Sequence, residues 1–214
     1  MRVSIFTLSL LLTVEARGKK TPRDGPAADD AQLAVKTTSG TYTGLVNATA
    51  PNVNQWLGIP YGLPPLGTRR FMPPAKAPDY GIANAKAYKP VCLQDSGVNK
   101  SGVYWELVPE FQNSGEQSED CLYLNIWAPR NPKPTPKLEA ELEKKTDKLP
   151  VIIWVCGGGF QEGGGYAPYQ VPDQWIQRTQ THIVVTFNYR LNIFGFPGSP
   201  AANKNAGLMD IRLV

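Results

Sequence analysis

Short apolar runs separated by polar or turn-forming residues make up most of the chain from residue 34 onward. Val151–Val155 is apolar and β-branched, and it is short enough for a buried parallel strand. His182–Asn188 has the same character and predicts the next buried strand. Cys121–Trp127 alternates between apolar and polar residues and leads to Pro129, as a strand would. We therefore expect three strands in this half of the chain.

Two segments have a helical pattern. Val171–Gln180 places Pro172 at an early helical position, which tolerates proline because its missing N–H would be unpaired there anyway. In this helix we expect Trp175 and Ile176 to face inward. Ala206–Val214 is predicted to begin a second helix.

The N-terminal half is richer in turns. Ala34–Val46 predicts a hairpin that turns at Ser39-Gly40, and Gln55–Ile59 predicts a short strand broken by Pro60. Residues 64–78 are rich in proline and predict an irregular surface connection. Residues 131–148 are rich in proline, lysine and glutamate, so we expect a solvated insertion that forms at most a short exposed helix.

Three consecutive glycines follow the Val151–Val155 run. Because glycine has no Cβ, Gly157–Phe160 can turn sharply and expose consecutive backbone N–H groups. Such donors can stabilise the oxyanion of a tetrahedral intermediate in acyl transfer. A plain turn or linker is the alternative interpretation of a glycine run. The serine nucleophile of an α/β-hydrolase lies in a G-x-S-x-G turn, and this pattern is absent from the 214 residues.

Neighbouring motifs decide between the two interpretations. They occur in the order Gly58-Ile-Pro-Tyr-Gly62, Pro64-Pro65-x-Gly67-x-x-Arg70-Phe71, Ser118-Glu-Asp-Cys-Leu-Tyr-Leu-Asn125, Asn188-Tyr-Arg190, Gly195-Phe196 and Asn205-Ala-Gly-Leu-Met-Asp210. Together with the glycine run they closely resemble the type-B carboxylesterase family, which includes cholinesterases and fungal lipases. The resemblance implies the N-terminal portion of an α/β-hydrolase fold over residues 34–214, and hydrolysis of carboxylic esters. In that fold the Val151–Val155 strand lies next to the His182–Asn188 strand, and we expect its other edge to be open here.

The resemblance also implies roles for the glycines. The N–H groups of Gly158 and Gly159 would donate to the developing oxyanion. The family's third donor is the amide after the nucleophile, and this chain contains neither that serine nor the catalytic histidine and acid. We therefore expect the chain to be truncated before the nucleophile elbow, to supply the oxyanion-hole half of a serine esterase or lipase, and to be inactive alone. The alternative is a non-catalytic, cholinesterase-like binding or adhesion protein.

Structural pairs follow from the same resemblance. It implies a disulfide between Cys92 and Cys121, and the chain-entropy model gives a loop of that length roughly 3.5 kcal/mol of stabilisation. It also implies two ion pairs with the bidentate geometry that suits arginine and carboxylate. These pairs are Arg70 with Glu119 and Arg190 with Asp210.

Cys156 and His182 are set aside as catalytic residues. Cys156 is the third cysteine, and we expect a small buried apolar residue at a strand end rather than a reactive thiol. His182 is the single histidine, and it opens a predicted buried strand rather than lying within reach of an acyl acceptor. In the resembled family the catalytic histidine lies further along the chain. We expect Asp210 to form an ion pair with Arg190 rather than to act as a catalytic acid.

Composition narrows the class of protein. The chain is 42% hydrophobic and 19% charged, which is typical of a globular domain. Its net charge of +4 is spread along the chain without a basic block, so we expect no nucleic-acid partner.

Residues 1–18 have the charged, apolar and small-residue regions of a secretory signal peptide, and residues 19–33 predict a disordered leader. The apolar run of the signal is too short for a stable membrane span.

Secretion would make two sequons usable for N-glycosylation, at Asn47 and Asn99. We expect a secreted protein that acts on a small-molecule or lipid ester and needs no cofactor and no metal. The particular ester and the oligomeric state stay open, because the residues that line the acyl and alcohol pockets of such enzymes lie largely after the elbow.

Overall fold

The computed structural model describes residues 33–95, 107, 115–132, 148–200 and 204–214. The strands of this part of the chain are β1 (Ala34–Thr37), β2 (Gly40–Thr43), β3 (Leu45–Val46), β4 (Val53–Pro60), β5 (Ile82–Asn84), β6 (Val91–Cys92), β7 (Gln117–Ser118), β8 (Tyr123–Pro129), β9 (Val151–Trp154) and β10 (Ile183–Phe187). The α-helices described are α1 (Asp173–Thr179), α2 (Asn192–Gly195) and α3 (Ala206–Leu213), and Gly67–Arg69 and Pro168–Gln170 form 3-10 turns.

The central feature is a mixed five-stranded sheet. Its strand order is β3-β4-β8-β10-β9, and only the last pair, β10 with β9, is parallel. Both pairs made by β10 are in register over four residues, with Val184 opposite Trp127 on one side and Ile152 on the other. Parallel pairing of β9 with β10 requires a crossover, and the glycine loop together with α1 supplies it. The predictions of strands over 121–127, 151–155 and 182–188 are confirmed to within two residues at each end.

Helix α1 packs on the sheet through Ile176, its buried side chain. Ile176 is fully buried against Trp127, Val184 and Val53, and burial of a side chain of this size stabilises a fold by about 1.5–3 kcal/mol. The expectation that Trp175 also faces inward is wrong, since its side chain is 49% exposed. Neighbouring residues of a helix point about 100° apart, so only one of the two can lie on the sheet.

The N-terminal hairpin forms with a shifted turn. β1 and β2 pair antiparallel with Thr37 opposite Gly40, so the connecting residues are 38 and 39 rather than the predicted 39 and 40. Gly40 pairs with Thr37 and so belongs to β2, and the position requires glycine because a Cβ there would lie 2.6 Å from the carbonyl oxygen of Gly81. Leu45 lies beyond the hairpin, in β3, which pairs with β4 instead. The strand predicted over 55–59 is longer than expected, and its last residue, Pro60, still pairs with Tyr123.

Strand β9 lies at the edge of the sheet in the described residues, as predicted. Three of its four side chains are correspondingly exposed, with Ile153 at 57%, whereas Ile152 is partly buried against the cluster that contains Trp127. The run is parallel as the sequence pattern predicted, but it is not buried as the apolar pattern suggested. The carboxyl end of β9 leads directly into the glycine loop.

Several predictions concern residues outside those described. They are the signal peptide over 1–18, the leader over 19–33 apart from Leu33, the sequon at Asn99, and all but the ends of the insertion over 131–148. In the part of the chain that is described, none of the helices has both the length and the apolar character needed to cross a bilayer.

Candidate active site

The glycine loop, defined here as residues 157–165, leaves the sheet at the carboxyl end of β9. Gly157, Gly158 and Gly159 are all exposed, whereas Cys156 just before them is buried. The carboxyl end of the neighbouring parallel strand, β10, reaches the same edge of the sheet. Ligands of open α/β sheets bind outside the carboxyl ends of parallel strands, and the glycine loop lies there.

Three successive residues of this loop have left-handed or related backbone angles. The φ angles of Gly158, Gly159 and Phe160 are +122°, +61° and +62°. The carbonyl oxygen of Gly158 accepts hydrogen bonds from the N–H groups of Gln161 and Glu162, at 3.0 and 3.3 Å, which closes a tight turn. The first two positions suit glycine because a side chain disfavours these angles.

The turn leaves backbone donors free. Among the described residues, no hydrogen bond is made by the N–H of Gly158 or Gly159. A Cβ built on Gly157 or Gly159 would meet nothing within 4 Å, so the space next to the loop is open. Exposed, unpaired N–H groups beside open space can donate to an anionic oxygen of a bound molecule.

A buried polar network holds the far end of the loop. The N–H of Gly165 donates to Asn188 Oδ1 at 2.8 Å. Its carbonyl oxygen accepts from Thr186 Oγ1 and from Asn125 Nδ2, the latter at 3.4 Å. All three side chains are buried. The loop is therefore fixed to β8 and to β10 and the residue after it.

The near end of the loop is fixed by Tyr189. Its hydroxyl donates to the carbonyl oxygen of Cys156 at 2.9 Å, and its ring lies 6.5 Å from the ring of Phe160, centroid to centroid. Phe160 also packs on Phe196 at 5.0 Å, and its carbonyl oxygen accepts from the N–H of Asn192 at 2.7 Å. Aromatic contacts and one hydrogen bond thus support the strained Phe160.

The network around the loop was not predicted as such. The motifs Asn188-Tyr-Arg190 and Ser118 to Asn125 contain several of its members, but no motif predicted that these residues hold the loop. The period-2 alternation of β8 could have shown that Asn125 points the same way as the buried Trp127, which makes it a buried polar residue in need of partners.

Cys156 is a buried free thiol, as expected. Burial raises the pKa of this thiol to about 11, so the group stays protonated near neutral pH. Because the thiolate is the nucleophilic form, Cys156 acts here as a small packing residue.

His182 lies away from the glycine loop, at the start of β10. It is buried, its Nδ1 lies 3.1 Å from Thr181 Oγ1, and its ring contacts that of Trp175. Burial lowers the pKa of His182, which keeps the ring neutral at neutral pH.

A disulfide joins Cys92 to Cys121, with the two Cα atoms 5.0 Å apart. The bond lies in the same hydrophobic cluster as Cys156, Tyr189 and Phe187. It ties β6 to the start of the segment that leads into β8, and so braces the sheet beneath the glycine loop.

Both predicted arginine–carboxylate pairs are present, and they differ in burial. Arg70 contacts Glu119 through two guanidinium nitrogens, with the arginine side chain 46% exposed. Arg190 contacts Asp210 at 2.9 Å through Nε and 2.8 Å through Nη2, and both side chains are almost fully buried. Burial raises the pKa of Asp210, and the hydrogen bonds from Arg190 oppose that shift.

An open cleft of about 460 Å³ adjoins the glycine loop. It is lined by Asp95, Gln161, Glu162, Asn192, Ile193 and Phe194. The cleft therefore runs between the turn of the loop and helix α2. Within the described ranges, no group of three or more histidine, cysteine, aspartate or glutamate side chains suits a metal ion.

Known proteins that resemble this chain include two fungal proteins, an esterase and a lipase. The chain is 45% identical to a chlorogenic acid esterase of Aspergillus niger over 182 residues, which cover 85% of the chain and 34% of that enzyme. It is 37% identical to secreted lipase 5 of Gibberella zeae, covering 86% of the chain and 36% of the lipase. The chain thus spans about a third of the length of these relatives.

A solved structure gives the same result for the fold. A thermophilic PNB esterase superposes with a TM-score of 0.66 at 33% identity, covering 85% of this chain and 33% of that one. The likeness confirms the predicted N-terminal portion of an α/β-hydrolase fold. The profile of the carboxylesterase family matches residues 31–214, and the chain therefore belongs to the carboxylesterase family.

Proposed function

We propose that this chain forms the oxyanion-binding part of a serine-dependent carboxylic ester hydrolase. The observation that carries the proposal is the glycine loop, which presents two unpaired backbone donors to open space at the carboxyl end of β9. The relatives named as an esterase and a lipase support an ester as the substrate.

The chemistry assigns different steps to different parts of the enzyme. In such a hydrolase a serine attacks the ester carbonyl while a histidine accepts its proton, and an acidic residue orients the histidine. Negative charge then develops on the carbonyl oxygen. The amides of Gly158 and Gly159 would donate to that oxygen, and because they are held in place before the reaction, little reorganisation is needed.

A chimera tests this function. Residues 33–214 would replace the matching segment of the chlorogenic acid esterase of Aspergillus niger, and turnover of short-chain p-nitrophenyl esters would be measured. We expect serine-dependent turnover from the chimera and none from residues 1–214 alone, because G-x-S-x-G is absent from them. A folded chimera without turnover would contradict the proposal and favour a non-catalytic binding protein.

We also infer that the protein is secreted. The signal-like residues 1–18, the disulfide between Cys92 and Cys121, and the relative named as a secreted lipase support this. Disulfides persist in oxidising compartments. The substrate class that fits such an enzyme is a small-molecule or lipid ester.

N-glycosylation of Asn47 is expected if the chain is secreted. Asn47 and Thr49 are exposed, and Asn47 Oδ1 accepts hydrogen bonds from the N–H and the hydroxyl of Thr49, both at 3.1 Å. Peptide mass mapping of protein secreted by a eukaryotic host should find a glycan on Asn47. Thr49→Val should remove it and Thr49→Ser should keep it. An unmodified Asn47 in secreted protein would refute the assignment.

A further inference from the structure

Gln94 makes a paired contact with the backbone of the glycine loop. Its Nε2 donates to the carbonyl oxygen of Gly163 at 2.8 Å, and its Oε1 accepts from the N–H of the same residue at 2.8 Å. The side-chain amide thus binds a backbone residue through both its donor and its acceptor. The two residues are 69 positions apart in the sequence.

The side chain of Gln94 is itself held in place. Its Nε2 also donates to the carbonyl oxygen of Cys92 at 3.1 Å, and its backbone N–H donates to Gln117 Oε1 at 2.9 Å. Cys92 is fixed in turn by its disulfide to Cys121. Gln94 is therefore a rigid link between the disulfide-braced strand β6 and the glycine loop.

Gly163 connects Gln94 to the part of the loop that carries the Gly158 and Gly159 N–H groups. Its φ angle is +125°, and a Cβ there would lie 2.5 Å from the carbonyl oxygen of Gly157 and 3.2 Å from Cys156 Sγ. Gly163 is thus packed directly against the first glycine of the loop. A displacement of Gly163 would shift Gly157 and rotate the amides that follow it.

We propose that Gln94 is a positioning residue, which sets the direction of the Gly158 and Gly159 N–H groups by fixing Gly163. This inference rests on the proposed function. It assigns Gln94 no contact with substrate. Small misplacements matter in such sites because preorganised donors stabilise the transition state only where the oxyanion forms.

The test uses Gln94→Met in the chimera described above. Methionine has a similar length but makes neither amide hydrogen bond. We expect kcat per titrated active site to fall about 10–100-fold, with KM nearly unchanged. The inhibition constant of a trifluoromethyl ketone, which forms an anionic adduct, should rise in parallel.

Gln177→Met is the matched control. Gln177 Oε1 accepts from the N–H of Asn52 at 2.8 Å, so this variant also loses a bond between side chain and backbone, but in helix α1. We expect its kcat per active site to equal that of the parent. Equal kcat in the Gln94 and Gln177 variants, or a change in KM alone, would overturn the proposal.

Hydrogen exchange separates this inference from the proposed function. Exchange of a peptide covering residues 157–162, which leaves out Gly163 and includes the two N–H groups bonded to Gly158, should quicken in Gln94→Met and not in Gln177→Met, whether or not the parent turns over ester. Unchanged exchange there would refute the positioning role. Faster exchange in a folded chimera that lacks activity would support the positioning role of Gln94 and would contradict the proposed ester hydrolase function.

Discussion

Gly158→Ala in the chimera is expected to lower kcat/KM by about 10²–10³-fold, the usual effect of losing one oxyanion donor. A Cβ on Gly158 would lie 2.0 Å from the carbonyl oxygen of Glu162, and its φ of +122° suits glycine alone. The turn must therefore open, which redirects the N–H groups of Gly158 and Gly159. Turnover of a p-nitrophenyl ester per titrated active site is the measurement.

Gly159 should respond differently, because a Cβ there meets no atom within 4 Å. Its φ of +61° is left-handed, so a side chain acts through backbone strain and not through a clash. Left-handed residues other than glycine cost about 1–2 kcal/mol. We therefore expect Gly159→Ala to lose less activity than Gly158→Ala, and Gly159→Val to lose far more than Gly159→Ala because its side chain is β-branched.

Gly81→Ala controls for backbone strain as such. Gly81 has a φ of +76° and open space around its missing side chain, but it lies near the N-terminal hairpin. Its substitution should lower stability and leave turnover per active site unchanged. Full activity in Gly158→Ala would show that the glycine loop does not bind the oxyanion.

Local sequence patterns predicted which segments form strands and helices better than they predicted which of their side chains are buried. The apolar run of β9 was recognised because β-branched residues favour strands, whereas its exposure depends on which strands pair with it. No described strand pairs with its outer edge. Trp175 shows the same limit at a smaller scale, since hydrophobicity alone does not decide which of two neighbours faces the sheet.

The candidate site was predictable where glycines and motifs lie together in sequence. The resemblance named Gly158 and Gly159 because they belong to one short motif. Gln94 was missed because its bonds to Gly163 join segments far apart in the chain. A single polar residue has no periodicity, so only the tertiary structure shows which backbone groups it satisfies.

Asp210→Ala is expected to lower the free energy of unfolding by about 3–5 kcal/mol, the usual effect of leaving one buried charge without its partner. Asp210 accepts three hydrogen bonds from Arg190, two from the guanidinium and one from the backbone N–H at 3.0 Å. Among the described residues, the guanidinium of Arg190 would keep only its bond from Nη1 to the carbonyl oxygen of Met72. Denaturant unfolding of the chimera and its variant is the measurement.

Two helices pack closely against the backbone of Arg190. A Cβ on Gly195 would lie 2.2 Å from the carbonyl oxygen of Arg190, and one on Gly207 would lie 2.4 Å from it. Helices α2 and α3 therefore both pack against this carbonyl group. Helix α3 carries Asp210, and loss of the pair should loosen the docking of this helix on the segment after β10, which carries Arg190.

Two variants decide whether burial is the cause. Glu119→Ala breaks the partly exposed pair with Arg70, and it should shift the unfolding midpoint much less because solvent reaches the arginine and screens that pair. The double variant Arg190→Met/Asp210→Leu removes both charges, and it should be more stable than Asp210→Ala since no unpaired charge remains. A double variant as unstable as the single one would show that shape, and not charge, makes Asp210 necessary.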